Sequence, residues 1–200
     1  MFYHYMQFKC LVIDADGCVI NNHEMNSIAH TRVTGRVPPG ELRSKVIGKG
    51  VVEAWTIIKD YYGLNETVEE LLEKRKKILS ELLPKCPLVE GIVEIVDWCN
   101  NQQIPVIMTS SSSYIHLEQK LVGHRYIFPK FNHIICLEDD EPSKPNPALF
   151  LKAISKYPSF SPHDFLIIED SDLGEQAALS LGCQIKKISP KQSSILDLIH

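Results

Sequence analysis

An apolar segment near the start of the chain ends in two aspartates, and it limits the possible folds more than any other feature. Leu11, Val12 and Ile13 form a run that is typical of a strand buried on both faces in a parallel sheet. In open parallel sheets the ligand crevice lies beyond the carboxyl ends of the strands, so Asp14 and Asp16 are expected at such a crevice. Residues two apart in an extended chain project to the same side, so both carboxyl groups can converge on one cation or one reacting group.

Strands and helices alternate in the second half of the chain, which favours a parallel α/β sheet. The apolar periodicity predicts strands at 104–108, 133–137, 165–168 and 184–188, and helices at 91–100, 147–157 and 173–181. Between Val19 and Leu88 the periodicity is helical instead, and Thr67 with Glu70 forms a capping-box pattern. This stretch therefore predicts a helical domain inserted into the α/β sheet.

Composition indicates the kind of partner and the compartment. The 200 residues are 44% hydrophobic, enough for a sizeable core, and the net charge of -4 argues against binding to nucleic acid or to an anionic membrane. A small molecule is the expected partner. Six scattered cysteines without a CxxC pair suit a reducing cytosol, and no signal-peptide pattern or long apolar stretch is present. We expect a soluble, cytoplasmic protein, with a monomer as the default.

Polar residues after the predicted strands suit phosphoryl chemistry. Asp14 can act as a carboxylate nucleophile toward a phosphate ester, while Asp16 can protonate the leaving alkoxide and then deprotonate the attacking water. Two carboxyl groups this close repel each other, which favours either a metal ion or a shared proton. Ser110, with the backbone amides of Ser111 and Ser112, can hold phosphate oxygens by hydrogen bonds.

Two further segments supply charges of both signs. Lys144, in SKPNP, can neutralise the phosphoryl group during its transfer. Glu169 and Asp170, at the end of FLIIED, can complete an oxygen shell for Mg²⁺, which prefers carboxylates and retains water ligands. Taken singly, each residue also has an ordinary explanation: a serine run is often a turn, and a lone lysine is usually solvated.

Together these segments resemble a known family. DADGCV, IMTSSS, SKPNPALF and IIEDSDLGEQAALSLGC are similar, in order and spacing, to the four motifs of the haloacid dehalogenase-like hydrolase superfamily. The resemblance implies an α/β, Rossmann-like parallel-sheet core at 1–20 and 89–200, with an inserted α-helical cap at 21–88, as in the β-phosphoglucomutase-like branch. KCPLVEG and HIICLEDD look most similar to the pseudouridine 5'-phosphatase-like group of that branch.

The resemblance also implies individual roles. Asp14 is the expected nucleophile, Asp16 the general acid and base, and Ser110 and Lys144 the phosphate-binding residues. The expected Mg²⁺ ligands are Asp14, Asp16 through its backbone carbonyl, Asp170 and, with lower rank, Glu169. Lys49 falls on a cap loop that faces the core site in relatives, so it either contacts the substrate or is an ordinary solvated lysine. The chain departs from relatives at the cap entry, where it has Asn21, Asn22 and His23.

The function that follows is a Mg²⁺-dependent phosphatase acting on a small phosphorylated metabolite, a sugar or nucleoside monophosphate, through an aspartyl phosphate on Asp14. Two alternatives remain at this point. A sugar phosphomutase would pass the phosphoryl group from Asp14 to another hydroxyl group. A catalytically weak member of the family would serve as a binding or regulatory protein, an alternative that the unusual cap entry motivates.

Overall fold

The computed structural model describes residues 7–46, 49–138, 141–188 and Ile195. Within these ranges a single sheet of five strands is present, in the order β3-β2-β1-β4-β5. The strands are β1 (Cys10–Asp14), β2 (Val106–Ser110), β3 (His133–Cys136), β4 (Phe165–Glu169) and β5 (Gln184–Lys187). Every pairing is parallel, which confirms the predicted α/β class.

Eight α-helices accompany the sheet in the described ranges. They are α1 (His23–Thr34), α2 (Gly40–Val46), α3 (Val51–Tyr62), α4 (Val68–Leu82), α5 (Ile92–Asn101), α6 (Tyr114–Lys120), α7 (Ala148–Ile154) and α8 (Asp172–Ser180). Short 3₁₀ segments lie at Leu83–Lys85, Val122–Lys130 and Pro162–Asp164. None of the helices in the described part of the chain combines the length and apolar character needed to cross a bilayer.

The central position of β1 explains why its first four residues are all apolar. All five of its residues are buried, and it pairs with β2 on one side and with β4 on the other. The order of strands therefore reverses on either side of β1, and in open α/β sheets the ligand crevice lies at such a switch point. The carboxyl end of β1 is Asp14, so the fold places an acidic side chain there.

Two predicted boundaries were wrong by a few residues. The second strand runs over Val106–Ser110 rather than 104–108, because its polar last residues, Thr109 and Ser110, still pair with β3. Helix α7 ends at Ile154 rather than at residue 157, because the next three residues form tighter turns. There the amides of Lys156 and Tyr157 bond to carbonyls three residues earlier.

The chain divides into two compact units by its internal contacts. The sheet unit comprises Met1–Asn21 and Pro87–His200, and the helical unit comprises Asn22–Cys86. Within the sheet unit, the outgoing and returning segments pair: the Asn21 amide donates to the Pro87 carbonyl at 2.9 Å, and Ile20 bridges Leu88. The helical unit has an apolar cluster of its own, built from Leu42, Trp55, Ile58 and Leu71.

The start of helix α4 shows how local sequence determines where a helix of this unit begins. The Thr67 side chain accepts a hydrogen bond from the Glu70 amide, and the Glu70 carboxylate accepts one from the Thr67 amide. Each interaction satisfies a backbone group that a helix end leaves unpaired. The predicted capping box is confirmed.

Candidate active site

The carboxyl ends of three neighbouring strands carry polar side chains. Asp14 ends β1, Ser110 ends β2 and Glu169 ends β4, and all three are buried. The register aligns them, since Asp14 pairs with the residue before Ser110 and the residues preceding Asp14 and Glu169 pair with each other. After β1 the chain turns at Gly17, whose φ of 80° lies in the left-handed region that glycine adopts without steric cost.

Lys144 joins two of these strand ends by ion pairs. Its Nζ atom lies 2.6 Å from Oδ1 of Asp14 and also donates to Oε1 of Glu169. The side chains of Lys144, Asp14 and Glu169 are only 10%, 7% and 1% exposed, so water screens these charges little. Lys144 is 130 residues away from Asp14 in the chain, and the fold brings the two side chains into contact. Their roles in handling phosphate stay predictions.

The electrostatics of this cluster are dominated by burial. Burial raises the pKa of Asp14 to about 7; Lys144 opposes the shift, and the charges of Glu169 and Asp16 add to it. Burial also disfavours the charged amine of Lys144, but the neighbouring carboxylates outweigh it and raise the pKa of Lys144. Lys144 therefore stays protonated at neutral pH, while Asp14 needs further positive charge to be fully ionised.

Three carboxylates form a group suited to a cation. One oxygen each from Asp14, Glu169 and Asp170 lies within 4.8 Å of the other two. An oxygen-only set is what Mg²⁺ prefers. Burial, with a smaller contribution from the charges of Glu169 and Asp16, raises the pKa of Asp14, so a cation is favoured beside it. The residues present therefore fit a magnesium ion. Asp16 was expected to contribute its backbone carbonyl, and that role stays a prediction.

Glu169 is held in place by the start of helix α8. Its Oε2 atom accepts hydrogen bonds from the Ser171 amide at 2.7 Å and from the Ser171 hydroxyl at 2.9 Å. The backbone at Gly174 packs against the same carboxylate, because a Cβ atom added there would lie 2.0 Å from Cδ of Glu169. The carboxylate of Glu169, which the sequence prediction ranked below Asp170 as a Mg²⁺ ligand, is therefore held in a fixed orientation.

The predicted phosphate loop follows β2. Ser110 is fully buried, and its Oγ atom accepts a hydrogen bond from the Ser112 amide at 3.1 Å. The amide of Ser112 was expected to be available to phosphate, and here it is engaged instead, because a serine hydroxyl readily bonds to the backbone two residues later. Ser111 is exposed. The loop leads into α6 with Ser113 as the residue before its first turn.

Asp16 lies beside a residue that the sequence prediction missed. Lys120, at the end of α6, places its Nζ atom 2.9 and 2.7 Å from the two carboxylate oxygens of Asp16 and 2.8 Å from Oγ of Ser112. A weak sequence signal existed, because Lys120 lies seven residues after Ser113, and such positions share one face of a helix.

Lys49 lies in the helical unit. Its amine pairs with Glu53 at 2.8 Å, and its side chain is 45% exposed. Lys49 lies two residues before α3, and Glu53 lies in the first turn of that helix. Its predicted contact with a substrate stays a prediction.

Fold and site together define a class: an α/β enzyme with an acidic, lysine-paired centre at the switch point of a parallel sheet. The family model described as "Haloacid dehalogenase-like hydrolase" matches residues 11–188, and the chain belongs to this family. The prediction from the four motifs is confirmed.

Several known proteins are similar to the chain. A protein of Drosophila melanogaster named "Probable pseudouridine-5'-phosphatase" is 27% identical over 87% of this chain and 78% of its own length. The "Bifunctional riboflavin kinase/FMN phosphatase" of Arabidopsis thaliana is 28% identical over 94% of the chain, which spans about half of that longer protein (50%). The crystal structure of a predicted phosphoglycolate phosphatase from Haemophilus somnus superposes with a TM-score of 0.78 at 18% identity, covering 96% of this chain and 91% of that one.

Proposed function

We propose that the protein is a Mg²⁺-dependent phosphatase that hydrolyses a small phosphomonoester through an aspartyl phosphate on Asp14. The observation that carries the proposal is the buried cluster at the strand ends, where Lys144 bonds to Asp14 and Glu169 and where Asp170 completes a carboxylate group. A nucleophile, a fixed cation and a metal-ligand set in one place are the parts that phosphoryl transfer requires.

The residues act in two steps. The Asp14 carboxylate attacks phosphorus, the bond to the leaving oxygen breaks, and Asp16 gives that oxygen a proton. Asp16 then takes a proton from a water molecule, which attacks the phosphorus of the aspartyl phosphate and regenerates Asp14. Lys144 and the loop at Ser110, including the amide of Ser111, neutralise and orient the phosphoryl oxygens. Asp14, Glu169 and Asp170 would hold Mg²⁺, which would supply positive charge that keeps Asp14 ionised and balances the charge of the phosphoryl group.

The substrate class is the finer part of the proposal. The names of two relatives concern the phosphate esters pseudouridine 5'-phosphate and FMN, which supports a nucleotide-like or sugar phosphate. We assign the helical unit the role of an inserted cap that excludes water and selects the substrate, and Lys49 is its candidate contact. The six cysteines are all free thiols, which supports the cytosol as the location, and the monomeric state stays a prediction.

Phosphate release from a panel of esters tests the proposal. The panel contains sugar phosphates, nucleoside monophosphates, FMN and pseudouridine 5'-phosphate, each with Mg²⁺ or with EDTA. We expect hydrolysis of at least one ester that requires Mg²⁺ and falls to background in Asp14→Asn, which keeps the shape of the side chain but removes its nucleophilic oxygen. Transfer of phosphate to a second hydroxyl group without release would instead indicate a mutase. Equal rates for the wild type and the variant across the panel would reject the proposal.

A further inference from the structure

The amine of Lys120 contacts both oxygens of the Asp16 carboxylate. The Lys120 amine lies within 2.9 Å of both carboxylate oxygens and 2.8 Å from Oγ of Ser112. A lysine amine has three N–H donors, and three acceptors surround this one. The amine thereby links the turn after β1, at Asp16, to the loop after β2, at Ser112, and Lys120 itself lies 104 positions after Asp16 in the chain.

This pair differs from an ordinary surface ion pair. The side chains of Lys120 and Asp16 are 17% and 32% exposed, whereas those of Lys130 and Asp97 are 30% and 45% exposed. The Lys130 amine contacts one oxygen of Asp97, at 2.5 Å, while the Lys120 amine contacts both oxygens of Asp16. Contact with both oxygens directs the carboxyl group at the amine, because displacing the group to either side lengthens one of the two contacts. Lys120 is therefore placed to hold Asp16 in one orientation.

We propose that Lys120 is a positioning residue that orients the Asp16 carboxyl group toward the leaving-group oxygen and ties it to the phosphate loop through Ser112. The inference rests on the proposed function, in which Asp16 protonates that oxygen. A carboxyl group on a turn can rotate about two side-chain bonds, and proton transfer requires hydrogen-bond distance and alignment. Lys120 restricts the first of these rotations, which sets the direction of the carboxyl group, before the substrate arrives.

The leaving group separates this role from phosphate binding. An alkyl phosphate departs as a strongly basic alkoxide and needs a proton, whereas p-nitrophenyl phosphate departs as a stable phenolate and does not. A residue that orients Asp16 therefore affects the alkyl ester selectively. A residue that binds the phosphoryl group affects both esters alike, because the two share that group. A residue needed only for folding also affects both alike.

Lys120→Met provides the test, with kcat/KM measured for p-nitrophenyl phosphate and for the alkyl ester of the panel that the wild type hydrolyses best. This parameter reports the step in which the leaving group departs. We expect a loss of roughly 10- to 100-fold for the alkyl ester, because small misplacements of a catalytic group cost up to about 100-fold, and a loss below about 3-fold for the aryl ester. Lys120→Arg should recover much of the alkyl activity.

Two further variants sharpen the result. Lys130→Met removes a comparable lysine from an ion pair of the same unit and should leave the ratio of the two kcat/KM values unchanged. In an Asp16→Asn background, Lys120→Met should cause no further loss for the alkyl ester, because its effect acts through Asp16. A thermal melt of each variant verifies that it is folded.

The outcomes distinguish the inference from the proposed function. Equal losses for both esters, or an additive loss in the Asp16→Asn background, would overturn the positioning role while the wild type still hydrolyses both esters. A wild type that hydrolyses no ester, and matches Asp14→Asn throughout, would overturn the proposed function and the inference with it.

Discussion

Replacing Lys144 with methionine removes the cation that contacts both Asp14 and Glu169. Removing one partner of a buried ion pair costs about 3–5 kcal/mol, because the remaining charge is left without compensation. Asp14 can avoid part of this cost by taking up a proton, since burial already raises its pKa to about 7 with Lys144 in place. The charges left without compensation therefore predict that the free energy of unfolding of Lys144→Met is lower by up to about 3–5 kcal/mol near pH 7.

The pH dependence of that loss identifies its cause. Without Lys144, the carboxyl groups of the folded variant bind more protons than those of the folded wild type. Stability falls with rising pH where the folded state binds more protons than the unfolded state, so the variant loses stability more steeply as pH rises. The difference between the two proteins should therefore be larger at about pH 8 than at about pH 5.5.

Urea denaturation in EDTA at both pH values measures these differences. Lys130→Met serves as the matched control, because its pair with Asp97 is more exposed and should contribute only about 0–1 kcal/mol. A loss in Lys144→Met as small as that of the control, or a loss that is the same at both pH values, would refute the account of Lys144 as the charge that stabilises two buried carboxylates.

Three further predictions follow from local geometry. Gly174→Ala should lower the free energy of unfolding by about 1–3 kcal/mol in urea and reduce phosphate release, because its Cβ atom would lie 2.0 Å from Cδ of Glu169. Gly40→Ala meets nothing within 4 Å and should leave both unchanged or raise stability slightly. Thr67→Ala should cost about 1 kcal/mol in urea by removing the capping box of α4, while Thr67→Ser should retain it. Burial, aided by a nearby arginine, lowers the pKa of His30 below 6.5, so the unfolded chain binds more protons below that pH. Its contribution to stability is complete above pH 6.5 and declines as pH falls through that value; urea midpoints of His30→Gln should show a flatter pH profile there.

The fold could be predicted where neighbouring residues in the sequence are enough to determine the local structure. The apolar run at residues 10–13 predicts a fully buried strand because nothing polar interrupts it. Thr67 with Glu70 predicts a helix start because their side chains complete the backbone hydrogen bonds. The end of β2 could not be predicted in the same way. Thr109 and Ser110 are polar residues that suit a loop, and only pairing with β3 keeps them in the strand and buried.

The candidate site could be predicted in part for a related reason. Lys144 lies in SKPNPALF, a segment similar to one of the motifs of the family. Its place in the candidate site could therefore be predicted from the sequence, although it is 130 residues away from Asp14. Lys120 belongs to no motif, and its contact with Asp16 arises because α6 returns its last turn to the end of the sheet. Long-range contacts of this kind depend on tertiary packing, which a pattern of residue types does not encode.

The central claim is that Asp14 carries the phosphoryl group during turnover, and trapping that intermediate tests it most directly. The wild type is mixed with Mg²⁺ and an ester that it hydrolyses, and the reaction is stopped with acid during the steady state. The peptide that contains residue 14 is then examined by mass spectrometry, with and without borohydride reduction. We predict the mass of one added phosphoryl group on Asp14, its conversion to homoserine by borohydride, and neither product in Asp14→Asn. An unmodified peptide during active turnover, or phosphate on another residue, would contradict the account.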